Sequence, residues 1–177
     1  MHNILMKNIF RTNKWLAIII IVYTKRMKQI QAPNPIPTKG FSIFLAGSIE
    51  MGVAENWQTR IIKEFEDWDD ILFLNPRRDD WDSSWIQSID NPQFNEQVNW
   101  ELNAMELANM IVMYFDPTTK SPISLLELGL HSKSKKMIVC CPDGFWRKGN
   151  VDIVCKKYDV IMVDTIEDII LTLKEKL

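Results

Sequence analysis

Two histidines, three cysteines and six glycines in 177 residues leave little room for several kinds of chemistry. His2 and His131 lie far apart, and there is neither a CxxC pair nor a Cys/His cluster, so a zinc or iron site is not expected. The odd cysteine count, with Cys140 and Cys141 adjacent in an apolar run, argues against a disulfide framework and for a reducing, cytoplasmic compartment. The chain also lacks a surplus of either charge. Lys and Arg total 21 against 23 Asp and Glu, a net charge of −2, which excludes the basic excess of a nucleic-acid binder. The apolar run Trp15–Tyr23 is nine residues long, far short of the roughly 20 a membrane-crossing helix needs, so stable membrane insertion is not expected.

What is present is ordinary globular composition, 46% apolar and 25% charged, at a length suited to one domain. The first 40 residues look unlike the rest. Their apolar run is flanked by Lys7, Arg11 and Lys14 on one side and Lys25, Arg26 and Lys28 on the other, with no signal-peptidase site after it. A membrane-surface anchor, a stray strand and a dispensable extension with the effective start at Met27 all fit. The last is favoured because Met27 leads into the proline-rich stretch 32–37 and then directly into the domain. Residues 1–40 are therefore read as extension and lead-in, and 41–177 as the domain.

From Phe41 onward, short apolar runs alternate with segments of helical period. Strands are expected at 41–46, 71–74, 110–115, 136–141 and 160–163, and helices at 54–68, 92–108, 123–132, 150–158 and 165–176. In the second of these helices Phe94, Val98, Leu102 and Met105 form the expected inner stripe. Repeated strand–helix alternation predicts an α/β three-layer sandwich, a five-stranded parallel sheet in the flavodoxin-like order 2-1-3-4-5. Ligands bind such sheets at the carboxyl ends of the strands where the order reverses. That rule selects the loops 47–52 and 116–127.

Gly47, Ser48 and Gly52 in the first loop can bring backbone N–H groups to a ligand oxygen, although a plain tight turn is the better reading of this loop taken alone. The loop is neither GxGxxG nor a lysine-bearing phosphate loop. In the second, Pro122 sets a helix start and places Glu127 near the first turn, where the helix dipole favours an ionised carboxylate. Such a group at a ligand crevice is a candidate nucleophile, and its leucine neighbours leave little solvated face for the alternative of an exposed glutamate. Glu101 shares a helix face with apolar side chains; it is either a buried acid with a raised pKa or a salt-bridge partner of Arg77 or Arg78. One carboxyl held ionised and one kept neutral is the arrangement of retaining glycosyl chemistry. Trp81, Trp85 and Trp146 lie in loops at the ligand end and suit stacking on a flat base, while Trp57, Trp68 and Trp100 suit packing. Arg77 and Arg78 beside Asp79, Asp80 and Asp82 pin their loop, with Asp82 a weaker candidate for contacting a base.

Four segments in order, 44–50 (FLAGSIE), 75–78 (NPRR), 97–101 (QVNWE) and 114–129 (YFD…SPISLLELG), resemble the nucleoside 2-deoxyribosyltransferase family. The resemblance spans about 41–163 and implies a Rossmann-like fold. It implies that Glu127 attacks C1′ of a 2′-deoxynucleoside to form a covalent deoxyribosyl-enzyme, and that a second base then takes the sugar with retention. Glu101 matches an acid that serves the departing base, usually an Asp in the family. Ser121 matches a sugar-contacting position. Asn150 matches an asparagine that reaches the 5′-hydroxyl in a neighbouring subunit, which implies a homo-oligomer with shared sites. Glu50 stands where nucleotide-hydrolysing relatives carry a phosphate-binding arginine, so nucleosides are expected over nucleotides. The partners implied are deoxynucleosides and free nucleobases, with no cofactor. An N-glycoside hydrolase and a non-catalytic nucleotide-sensing module are the alternatives.

Overall fold

The computed structural model describes residues 29–49, 54–78, 80–82 and 84–177. The apolar run at 15–23, Glu50, Gly52 and Asp79 lie outside the described residues. The elements run β1 (Gln29–Gln31), β2 (Phe41–Gly47), α1 (Trp57–Lys63), β3 (Ile71–Asn75), α2 (Pro92–Leu107), β4 (Met110–Tyr114), α3 (Pro122–His131), β5 (Met137–Cys140), α4 (Lys148–Tyr158), β6 (Ile161–Val163) and α5 (Ile166–Lys176).

All strand pairs are parallel, in the order β1-β3-β2-β4-β5-β6. The five expected strands keep the order 2-1-3-4-5, and the correction is a sixth strand at the edge. β1 registers Ile30 against Leu74, and Ile30 and the following Ala32 are both buried. Its three residues, Gln-Ile-Gln, carry one apolar side chain and are too short for any period to emerge. The stretch expected to be a lead-in thus contributes to the sheet, and Trp100 Nε1 donates to Asn34 O at 2.7 Å across it.

The strands are apolar on both faces because helices cover both, as parallel sheets require. Alternation along each strand divides the core. Ile43, Leu45, Phe73, Val112 and Ile138 face α1 and α5, packing on Trp57, Ile61, Phe65, Ile169 and Leu173. Phe44, Ala46, Leu74, Ile111, Met113 and Val139 face the other way, onto Trp100 and Met105 of α2, Leu128 of α3 and Val151 and Cys155 of α4. This is the expected three-layer sandwich.

Local chemistry sets the helix ends. Asn91 Oδ1 accepts from the N–H groups of Gln93 and Phe94, with Pro92 at the first turn of α2, while Thr165 and Asp168 form a reciprocal capping box on α5. The inner stripe of α2 differs from the expected one. Gln97, Trp100, Ala104 and Met105 are buried, whereas Leu102 is exposed. The stripe is rotated because Gln97, a polar residue, has partners inside. No helix among the described residues is long and apolar enough to cross a membrane.

Candidate active site

The β2–β4 pair forms the switch point, since the chain leaves β2 toward β3 on one side and β4 lies on the other. Gly47 closes β2 at φ +131°, and a Cβ there would stand 2.2 Å from Tyr114 O. Only glycine lets the two backbones approach so closely. Ser48 follows, 1% exposed, and its N–H donates to Tyr114 O at 2.8 Å. Its hydroxyl accepts from Asp116 N at 2.8 Å and lies 2.9 Å from Thr119 Oγ1 and 2.6 Å from Ser121 Oγ. Thr119 and Ser121 hydroxyls are 2.8 Å apart, closing a three-hydroxyl cluster. The Ser48 hydroxyl is therefore engaged within the protein, tying the end of β2 to the loop ahead of α3. Ser121 is buried, caps α3 in the left-handed conformation (φ 43°, ψ 53°) and has no side-chain capping bond. A non-glycine residue held there marks a position whose geometry the surroundings dictate.

Glu127 is the sixth residue of α3 and is 8% exposed. It lies one turn deeper than the first-turn site expected from Pro122, where the helix dipole acts most strongly. Burial instead dominates. It pushes the Glu127 carboxyl up to about 8, and the charge on Glu101 adds to the shift. Glu101 is pushed up to about 7, again by burial and against the hydrogen bond that Gln97 donates. The expected division, Glu127 ionised and Glu101 neutral, is replaced by two carboxyls that both resist ionisation and oppose each other's charge.

The salt-bridge alternative for Glu101 is removed. Arg77 donates to Glu55 O, Ala54 O and Gln58 Oε1, and Arg78 pairs with Asp80 at 2.8 Å and lies 3.9 Å from Glu96. The partner of Glu101 is Gln97, whose Nε2 donates to Glu101 Oε1 at 2.8 Å and to Pro76 O at 2.9 Å.

Trp81 packs on Trp85 with ring centroids 5.0 Å apart, and the Arg78 guanidinium sits 5.2 Å over the Trp85 ring. Asp82 is exposed, and hydrogen bonds from Ser84, one of 2.8 Å from its N–H, hold its pKa below the usual range. This loop is thus pinned internally, as the arginine–aspartate pattern suggested. Trp146 is stitched to the loop of Ser121 through Nε1 donating to Lys120 O at 2.9 Å. Asn150 is exposed on the first turn of α4 and lines a cleft of about 300 Å³ with Leu125, Leu128, Gly129, Arg147, Val151 and Val154. Glu101 and Glu127 do not line that cleft. The structure therefore brings Gly47, Ser48 and Ser121 together and gives Glu127 an electrostatic interaction with Glu101, while Asn150 lines a cleft that neither glutamate lines.

Sequence reasoning missed Thr119 and Gln97 as participants. Nothing in the loop announces Thr119. Gln97 precedes Glu101 by four residues, the spacing at which helix side chains meet, and that signal was available. Among the described residues no group of three or more His, Cys, Asp and Glu side chains is placed to hold a metal ion.

These features define a doubly wound α/β protein with a coupled carboxyl pair at its switch point. A conserved protein from Enterococcus faecalis V583 shares the fold in its crystal structure, with 13% identity, a TM-score of 0.56, and coverage of 78% of this chain and 100% of that one. The chain belongs to the nucleoside 2-deoxyribosyltransferase-like family, whose model matches residues 40–145. No curated protein matches the chain in sequence. The family match ends before α4, so Asn150 lies outside it.

Proposed function

We propose that the protein transfers 2-deoxyribose between nucleobases of 2′-deoxynucleosides by double displacement. The observation that carries this reading is the coupled pair Glu127–Glu101, two carboxyls with raised pKa values at the ligand end of the sheet of a deoxyribosyltransferase-like chain. Glu127 holds its proton more tightly than Glu101, so the reactive arrangement, Glu127 ionised and Glu101 protonated, is the less populated of the two singly protonated forms. A Glu127 carboxylate oxygen attacks C1′, the N-glycosidic bond breaks with its electron pair going to the base nitrogen, and Glu101 gives the base its proton. The deoxyribosyl–Glu127 ester is then attacked at C1′ by a second base, whose proton returns to Glu101. Two inversions retain the β configuration.

Supporting roles follow from position. Ser121, held at the start of α3, contacts the sugar, and Gly47 with Ser48 fixes the loop that carries it. Trp81 stacks on the base and Asp82 hydrogen-bonds it. Asn150 serves the site of a second copy in a homo-oligomer. That copy covers the outer face of α3 and α4, where Ile123, Leu126, Leu130 and Ile153 are each at least 59% exposed. Three free, buried cysteines fit a cytoplasmic enzyme of nucleoside salvage.

Acid quenching of the enzyme during turnover of a deoxynucleoside, followed by peptide mass spectrometry, tests the reading. The expected result is a deoxyribosyl adduct on Glu127 that is absent from Glu127→Ala, together with new deoxynucleoside when free adenine is supplied. Base release at the same rate with and without adenine would identify a hydrolase. Binding without adduct or turnover would identify a sensing module.

A further inference from the structure

Gln97 is a buried polar residue that the mechanism above does not use. It is 3% exposed on the second turn of α2, and its amide has a forced orientation. Nε2 lies between two acceptors, Pro76 O at 2.9 Å and Glu101 Oε1 at 2.8 Å. Turning the amide over would set its oxygen against the Pro76 carbonyl, which has no hydrogen to donate, so the N–H₂ group stays where it is and Gln97 Oε1 is buried with no hydrogen-bond partner. Pro76 follows β3 directly, so the contact anchors α2 to the end of the sheet on the same side chain that holds Glu101.

We infer that Gln97 is a positioning residue for Glu101, fixing Oε1 as the hydrogen-bond acceptor so that Oε2 is the oxygen that carries and delivers the proton. In a neutral carboxyl the carbonyl oxygen is the better acceptor, so an N–H donor committed to Oε1 selects which oxygen bears hydrogen. The same donor stabilises the carboxylate left after the proton is given away, and it opposes the burial that would otherwise keep the proton on Glu101. The charge on Glu101 in turn raises the pKa of Glu127 on α3, so the two carboxyls resist being ionised together. The catalytic part of this inference rests on the deoxyribosyl-transfer reading; the positioning part does not.

Two measurements on Gln97→Met, which keeps length and removes the donor, test it. The first is the ¹³C titration of the Glu101 carboxyl in the full-length protein, assigned by its loss in Glu101→Gln; the expected midpoint rises by more than half a pH unit. The second compares a natural deoxynucleoside, whose base must be protonated to leave, with 4-nitrophenyl 2-deoxyriboside, whose leaving group departs as a stable anion. Turnover of the nucleoside is expected to fall by about tenfold or more, within the range for a misplaced general acid, and that of the activated donor by less than about twofold. An unmoved Glu101 midpoint, or equal losses on both donors, overturns the inference. A wild-type protein that processes neither donor, with the midpoint still shifted, leaves Gln97 as the positioner of Glu101 and overturns the transfer reading instead.

Discussion

Glu127 gains little from its helix terminus and loses much to burial, and its titration follows from that balance. A carboxyl whose ordinary pKa of 4.5 rises to about 8 in the folded protein keeps its proton across a range where the unfolded chain has released it. Stability from this group is therefore complete below pH 4.5 and is lost as pH climbs toward 8. Glu127→Gln, which cannot ionise, is expected to melt several degrees above the parent at pH 8, a gain on the order of 3 kcal/mol, and to differ little at pH 4. Calorimetry at the two pH values checks this; equal gains at both would show that charge burial is not the cause. Activity responds to the same pair differently. On the proposed mechanism, both carboxyls are protonated below the lower macroscopic pKa and no nucleophile exists, and above the upper one no acid remains. The kcat/KM profile should be bell-shaped, with limbs near the 7 to 8 range of the pair, and Glu101→Gln should remove the alkaline limb and lower turnover of natural deoxynucleosides by roughly 10²-fold. The position of Glu127 was readable from Pro122 and the leucines around it. Its protonation was not, because burial is a property of packing that one helix's residues do not disclose. Leu126 and Leu130, expected to shield it, instead point outward at 60% and 59% exposure, while Leu128 is buried.

At the scale of elements, strands apolar on both faces were legible wherever five or so residues in a row were nonpolar, as in Met110–Tyr114. In the helix expected over 54–68, Trp57, Ile61 and Phe65 are fully buried, although α1 itself ends at Lys63. The two misreadings share one origin, a tertiary partner that no local pattern contains. β1 is a strand because β3 offers it an edge, and α2 is rotated because Pro76 O and Glu101 Oε1 take both hydrogen bonds of the Gln97 Nε2 group. The N-terminal boundary follows from the first of these. A chain starting at Met27 retains β1 and is expected to fold and to keep the parent's activity. One starting at Phe41 loses the buried side chains of Ile30 and Ala32 and the bond from Trp100 to Asn34, at a cost of about 3 kcal/mol. Denaturant unfolding of the two truncations should therefore give midpoints that agree with the parent for the first and fall well below it for the second. A Phe41 start that unfolds with the parent would show that the edge strand contributes nothing.

For the whole molecule, the outer face of α3 and α4 decides whether one chain suffices. Leu126, Leu130 and Ile153 stand out at 59–70% exposure on helices whose inner faces are buried, and α3 carries no Lys, Arg or Asp, its one Glu, Glu127, being buried. Water-facing leucines on the helix that carries Glu127 are costly in a monomer and useful at an interface between copies. Leu126→Asp with Leu130→Asp should convert an oligomer to monomers in sedimentation, with the fold intact by circular dichroism. The sharper consequence concerns Asn150. When the site takes Glu127 from one chain and Asn150 from another, Glu127→Ala and Asn150→Ala proteins are each inactive alone. Unfolding and refolding them together then creates mixed assemblies in which one site has both residues intact. Partial recovery of base exchange on mixing is the expected outcome, because the two defects fall on different chains of the mixed pair. Were Asn150 to serve its own chain through the cleft it lines with Leu125 and Leu128, every site in the mixture would still lack one residue, and no activity would return.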